Sequence, residues 1–273
     1  GAERARQRDA DRAPVVSKAA IVTGASSGIG RALAFELARR GWWLGLCARR
    51  GDELQRIKTE IESSTAGARV ETAVLDVNDT NAVRAVIPEL AGRLGKVDLL
   101  IANAGVGGER FAGDERFAID EGIIRTNVLG AMATVDAGVK LLRASGGGQI
   151  VGITSVAGYR GLPGHAAYSA SKAALNVYLE AVRAEVERDG ITVTTLAPGY
   201  IDTPINNHMK SRPFLVSAEE GAARAADLIE RGVRTSPVPV FPWRAVGLLM
   251  RSLPDFLWYR VMRTQVPRRP RAS

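Results

Sequence analysis

A single cysteine, Cys47, in 273 residues excludes an intrachain disulfide framework. It sits in an apolar run, so a small buried core residue is its expected state and a reducing compartment its expected setting. Histidine is almost as scarce: His165 and His208 are the only two, and they form no recognisable metal-ligand set. No stretch approaches the roughly 20 apolar residues of a membrane span, and the basic N-terminal region lacks the apolar segment of a secretory signal. Cytoplasm is the expected location, where the sequon Asn78-Asp79-Thr80 carries little weight. Internal repeats at periods of roughly 20 to 50 residues, the mark of solenoids and propellers, are also missing.

The net charge of +8 raises the question of a nucleic-acid partner until its position is read. Residues 1–18 contribute +2 and residues 242–273 contribute +6, so residues 19–241 are formally neutral. Charge confined to the ends argues against a basic groove, and no nucleic-acid motif is present. With 46% hydrophobic and 24% charged residues, the chain has the make-up of a globular domain. Its length favours one domain with an ample core.

Apolar runs at 19–23, 42–47, 69–75, 97–102, 148–154, 191–197 and 237–241 read as strands. Between them lie helix-like segments near 28–40, 51–64, 79–93, 115–144, 166–189 and 218–232. Asp114 and Ser217 are the expected N-caps of two of these helices, and Gly41 and Gly190 stand where helices stop. Such alternation predicts an α/β fold: a doubly wound, Rossmann-type parallel sheet of about seven strands with helices on both faces. Residues 1–17, rich in Arg, Asp and Ala, read as a flexible lead-in or one added for expression.

Two patterns carry chemistry. After the first strand comes Thr23-Gly24-Ala25-Ser26-Ser27-Gly28-Ile29-Gly30, a glycine turn opening into a helix. Glycines there allow a sharp turn and close backbone approach, while unpaired N–H groups at the helix N-terminus suit a pyrophosphate. Further on, Tyr168 and Lys172 are four residues apart on a predicted helix, and Ser155 ends a predicted strand. Residues at that spacing share a helix face, so the lysine ammonium is expected to favour ionisation of the phenol, whose ordinary pKa of about 10 is too high for a useful base. Ser155 would then hydrogen-bond the reacting oxygen.

The glycine spacing, followed in order by Asn103-Ala104-Gly105, Asn127, Ser155, Tyr168, Lys172 and Pro198-Gly199, closely resembles the short-chain dehydrogenase/reductase family over roughly Lys18 to Phe241. The resemblance implies the following assignments. Ser155, Tyr168, Lys172 and Asn127 are the catalytic set, with Asn127 supporting a water path to Lys172. Gly24, Ser26, Ser27, Gly28, Ile29 and Gly30 hold the dinucleotide phosphates. Asp76 and Val77 meet adenine, and Asn103, Ala104 and Gly105 approach the ribose, which Lys172 also holds. Pro198, Gly199, Ile201 and Thr203 flank the nicotinamide. Relatives often carry Asn where this chain has Ala102, which touches a structural hydrogen bond and not the chemistry.

Ala48-Arg49-Arg50 follows the second strand, with no acid where a 2′-hydroxyl is usually bound. Arg49 is therefore expected to pair with a 2′-phosphate, favouring NADP(H) over NAD(H), while Arg50 is expected to head a solvated helix. The substrate is expected to be a small carbonyl compound or alcohol of mainly hydrophobic character. Val106, Gly107, Phe111 and Val156 are candidate pocket residues, as are Tyr200, Met209, Phe214 and Leu215. His165 is a further candidate, more economically read as a loop histidine without catalytic duty. Segment 199–217 is expected to cover the substrate.

The implied activity is that of a carbonyl reductase or alcohol dehydrogenase. An NADP-sensing interaction protein and a non-redox relative, such as an epimerase or dehydratase, are the alternatives. A homodimer or homotetramer through the helices bearing Asn127 and Tyr168 is implied as well. Residues 242–273 form a basic, amphipathic C-terminal extension, for which packing or oligomer contact is a more economical reading than peripheral membrane contact.

Overall fold

The computed structural model describes residues 18–209 and 211–266. Seven strands, β1 (Ala19–Thr23), β2 (Trp43–Ala48), β3 (Val70–Val74), β4 (Leu99–Ala102), β5 (Gly148–Ile153), β6 (Ile191–Pro198) and β7 (Thr235–Val238), form one sheet in the order β3-β2-β1-β4-β5-β6-β7. All the pairings are parallel. The order reverses between β1 and β4, which opens a crevice at the carboxyl ends of these two strands.

The connecting helices are α1 (Gly28–Arg39), α2 (Gly51–Ser64), α3 (Thr80–Leu94), α4 (Ala118–Ile124), α5 (Ala131–Ala144), α6 (Ala166–Val186) and α7 (Ala218–Glu230). They divide between the two faces, as the period of two along the strands requires. Ala20 and Val22 of β1 face a core shared with Leu33 and Leu37 of α1, Ile57 of α2 and Ile229 of α7. Ala19 and Ile21 face the opposite core, with Ile87 of α3, Val135 of α5 and Leu179 of α6. Both faces of β1 are thus buried, which is why it reads as an unbroken apolar run. The result is a single Rossmann-type α/β domain.

Three local expectations are corrected. Helix α4 begins at Ala118 with Phe117 at the N-cap, so Asp114 does not cap it. Instead, the Asp114 carboxylate accepts from the Phe111 amide (3.2 Å) and closes a tight turn. Ser217 does cap α7, its Oγ accepting from the Glu220 amide. The seventh strand lies at 235–238 and not at 237–241, because the chain leaves the sheet at Pro239, the N-cap of a further helix that begins at Val240. That helix, α8 (Val240–Ser252), and α9 (Asp255–Arg263) follow the sheet as a hairpin by connectivity: joined by Leu253 and Pro254, the two helices pack little against each other. The predicted helix 115–144 is continuous from Ala118 but widens into a π-helical turn at Arg125–Gly130. Among the described residues, no helix is long and apolar enough to cross a membrane. The lead-in at 1–17 lies outside the described residues.

Candidate active site

The glycine turn is fitted to the end of β4. Gly24 has φ of +69°, and a Cβ there would stand 2.7 Å from the Ala104 Cα. A Cβ at Gly30 would lie 2.4 Å from both the Asn103 Nδ2 and the Gly24 carbonyl oxygen. Those atoms are already bonded: Asn103 Nδ2 donates to the carbonyls of Thr23 (2.9 Å) and Gly24 (3.3 Å). Thr23 Oγ1 accepts from the amides of Asn103 and Ala104 and donates to the Ile101 carbonyl. The asparagine and threonine therefore rivet the two sides of the crevice together, a part that sequence reading did not assign to Thr23.

Ser27 is the N-cap of α1 but makes no side-chain cap hydrogen bond, so its helix end presents backbone donors toward the crevice. Thr203 packs opposite, its side chain 3.4 Å from where a Gly28 Cβ would be. Thr203 Oγ1 bonds the Ile201 carbonyl, and both residues are buried. Gly24, Gly28 and Gly30 thus leave a cradle without side chains, ending in helix-terminal donors, which fits a dinucleotide phosphate.

Arg49 is exposed at the end of β2. Arg50 does not simply head a solvated helix, as the sequence had suggested. Its guanidinium donates to the Ser26 Oγ (3.1 and 3.3 Å) and carbonyl (3.1 Å), reaching back to the glycine turn. The sequence signal was the doublet itself, which cannot say which arginine turns inward. Asp76 accepts from the Asn78 amide, and Val77 beside it is buried against Gly130.

At the ends of β5 and β6, Ser155 leads a short 3₁₀ turn, Val156–Gly158. Its Oγ accepts from the Ala157 amide (3.1 Å) and donates to the Pro198 carbonyl (3.3 Å). Tyr168 lies in the first turn of α6. Burial pushes its phenol above the ordinary tyrosine range, and a hydrogen bond with Ser155 opposes that shift. Lys172, one turn later, is buried, which pulls its pKa down to about 8. Its Nζ donates to the Ile153 carbonyl (2.9 Å) and stands 5.8 Å from the centre of the Tyr168 ring. The electrostatics thus differ from the sequence expectation of a simple ammonium effect: desolvation dominates at both groups.

Asn127 is fully buried within the π-helical turn. Its amide accepts from the Val106 N–H (2.8 Å) and donates to the Val106 carbonyl (2.9 Å) and Ser171 Oγ (3.1 Å). Ser171 in turn donates to the Tyr168 carbonyl. A Cβ on Gly105 would stand 3.3 Å from Asn127 Oδ1 and 3.4 Å from Lys172 Nζ. The bare glycine therefore lets the amide and ammonium groups approach one spot.

The candidate pocket residues fall into two groups. Val156 and Tyr200 gather around Trp243, which is buried and comes from α8. The Tyr200 and Phe214 rings meet Trp243 edge-on, with centroids 5.8 and 5.9 Å away. Trp243 was not foreseen as a member of this group; a Cβ at Gly199 would fall 2.1 Å from its ring, a vacancy that no sequence pattern advertises. The second group ties the 106–111 loop to the turn before α6. There His165 Nδ1 lies 3.3 Å from the Gly108 carbonyl, which can only accept, so that ring nitrogen carries the proton in the bond. Phe111 packs at Gly164 in the same place. Gly107 faces Ile205, Met209 lies in the turn after Thr203 with its amide bonded to Asn206, and Leu215 is exposed.

A parallel sheet with a switch-point crevice, a glycine cradle and a serine, tyrosine and lysine gathered at its carboxyl edge defines a dinucleotide-type α/β enzyme fold. The chain belongs to the short chain dehydrogenase family, whose pattern matches residues 18–213. It is an oxidoreductase of that family. It is 41% identical over 231 residues to an uncharacterised oxidoreductase of Myxococcus xanthus, a match covering 83% of this chain and 88% of that protein. Among solved structures it resembles an alcohol dehydrogenase of the archaeon Thermococcus sibiricus complexed with 5-hydroxy-NADP, with TM-score 0.73 and 29% identity, covering 81% of this chain and 95% of that one. It also resembles a short chain dehydrogenase of Mycobacterium paratuberculosis bound to NAD, with TM-score 0.75 and 26% identity, covering 83% and 98% of the two chains. One neighbour holds an NADP derivative and the other NAD, so the likeness alone does not choose between cofactors.

Proposed function

We propose that the chain is an NADP(H)-preferring oxidoreductase that interconverts a carbonyl group and a secondary alcohol on a mainly hydrophobic small molecule. The observation that carries this reading is the convergence of Ser155, Tyr168 and Lys172 beside the glycine cradle. When bound there, the nicotinamide supplies or takes the hydride. The backbone from Gly24 to Gly30 would hold its phosphates, Asp76 and Val77 its adenine, and Asn103, Ala104, Gly105 and Lys172 its ribose. Pro198, Gly199, Ile201 and Thr203 would flank the nicotinamide. Arg49 supports the NADP preference: it is exposed at the end of β2, makes no ion pair among the described residues, and has no carboxylate in the adjoining position.

In the reducing direction Tyr168 gives its proton to the substrate oxygen. Its raised pKa keeps that proton in place through the neutral range. Ser155, at the mouth of the same turn, hydrogen-bonds that oxygen and orients it. Lys172 stabilises the tyrosinate left behind, and Asn127, held beside Lys172 across Gly105, supports the return of a proton from solvent. Val156, Tyr200 and Phe214 supply apolar walls, and the 199–217 segment, which carries the last two, covers the substrate.

Residues 18–241 act as the catalytic domain, with 242–273 as its extension. Exposed Phe117 and Leu129 at the long helix and Val177 on α6 support a homodimer or homotetramer through these helices. The reading is tested by Tyr168→Phe, which should lower ketone reduction by about 10²- to 10⁴-fold while leaving NADPH binding intact. Undiminished turnover would remove Tyr168 as the proton donor.

A further inference from the structure

The hairpin α8–α9 turns one side to the protein and leaves the other bare. Trp243, Gly247 and Met250, at positions i, i+4 and i+7 of α8, are buried. Both helices are latched to the short stretch that follows the Ser155 turn. A Cβ at Gly247 would stand 2.7 Å from the Tyr159 ring, and Arg251 stacks 3.9 Å over that ring. Arg160 donates to the Leu253 carbonyl (3.1 Å) and to Asp255 (2.8 Å), while Trp258 Nε1 donates to the Gly161 carbonyl (3.2 Å). The remaining faces therefore point away from the domain.

Those outward faces are apolar where solvent alone would favour polar residues. Phe241 is 80% exposed, Leu248 71% and Phe256 70%, and Leu249 and Tyr259 are exposed as well. On α9, Phe256, Tyr259, Arg260 and Arg263 share one stripe by spacing. No residue of α9 is buried, so the domain core does not account for this stripe.

Charge selects the occupant. Residues 242–273 carry seven basic residues and one acid, and that acid, Asp255, is paired with Arg160. A twofold contact of this face with its own copy would set Arg244, Arg260 and Arg263 against their equivalents, with no free carboxylate among the described residues of the hairpin to meet them. An anionic bilayer satisfies both features, taking aromatic and leucine side chains into its interface and arginines against its head groups. We propose that the hairpin Val240–Arg263 seats the protein on an anionic lipid bilayer. Because Trp243 of the same hairpin walls the candidate pocket, such seating would bring that pocket to the membrane surface, where apolar carbonyl compounds concentrate. Only this last consequence rests on the reductase reading.

The full chain is centrifuged with vesicles of phosphatidylcholine and with vesicles of phosphatidylcholine mixed with phosphatidylglycerol, at low and high salt. The expected result is sedimentation with the mixed vesicles, weakened by salt. The double variant Leu248→Glu/Phe256→Glu should bind at least about tenfold more weakly. Both side chains point outward, so its melting temperature and its turnover of a water-soluble ketone should match the parent, separating this result from any failure of the reductase reading. Arg260→Ser/Arg263→Ser should lose the preference for the anionic lipid. Absence of wild-type binding, equal binding to both vesicle types, or undiminished binding by the Glu variant would overturn the proposal. A change in the variant's sedimentation coefficient without vesicles would assign the face to self-association and overturn it equally.

Discussion

At the carboxyl edge of the sheet the informative residues are small: Gly24, Gly30 and Gly105 stand where a Cβ would strike or crowd backbone and polar atoms at 2.4 to 3.4 Å. Around the hairpin 240–263 they are large: Trp243 packs among Val156, Tyr159 and Tyr200, Arg251 stacks over the Tyr159 ring, and Arg160 lies over that of Trp258. The first region is tied by hydrogen bonds that join two strand ends across the crevice, such as Asn103 to Thr23 over 80 positions, so distance along the chain does not set it apart. The second is also tied by contacts between residues about 80 to 100 positions apart, such as Arg160 to Asp255. A motif can be read in the first region because its chemistry demands particular residues at particular intervals. The second offers only an amphipathic pattern, and several partners satisfy such a pattern.

Substitutions separate the two regions. The largest structural effect is expected from Gly30→Ala, which must displace the tied Asn103 amide or the Gly24 carbonyl. It should cost about 1–3 kcal/mol and several degrees of melting temperature, and loosen cofactor binding while the hairpin stays docked. A calorimetric scan with and without NADPH checks this, and an unchanged scan would mean that the cradle is not tightly fitted. Next, Arg49→Ala should weaken NADPH by about tenfold or more and NADH little. Titration of both cofactors decides it, and equal losses would remove the case for 2′-phosphate recognition. Arg50→Ala is the sharper comparison: because Arg50 holds Ser26, its loss should weaken both cofactors alike through the glycine turn.

Smaller effects follow from titration and from the latch. Lys172 is charged below its depressed pKa of about 8 and neutral above it. The desolvation cost of burying that charge is therefore fully present below pH 8 and is relieved as pH rises toward the ordinary lysine range. If the charge assists reduction, kcat/KM should fall as pH rises through about 8, and Lys172→Arg should erase that inflection. A profile identical in the two proteins would assign the inflection to another group. Arg160→Ala should have the least effect on stability, within about 2 °C, because its partner Asp255 is wholly solvent-exposed. Its readout is the KM for bulky ketones, which should rise as the hairpin loosens beside Val156 and Tyr200.

Much of the fold was legible because a parallel sheet buried on both faces writes itself as apolar runs, as in Ala19–Thr23. The seventh strand starts two residues and ends three residues before its expected position, because the apolar Val240 and Phe241 already belong to the helix that follows and hydropathy alone does not tell the two apart. Asp114 had the right chemistry for a cap, but the chain used it for a turn with Phe111. The π-helical turn around Asn127 left no mark in the helical periodicity of 118–144. At the site, Ser155, Tyr168, Lys172 and the glycine turn were visible from spacing, and Asn127 only through the family resemblance. The inward swing of Arg50 and the arrival of Trp243 against Gly199 were not, since each depends on where a distant segment packs.

The most direct measurement follows NADPH and NADH oxidation by absorbance across aliphatic, aromatic and steroid-like ketones, with wild type and Tyr168→Phe side by side. The account predicts NADPH-selective turnover of hydrophobic ketones by the wild type and its near loss in the variant. Tight NADPH binding with no turnover of any ketone, or turnover that survives the loss of the phenol, would contradict it.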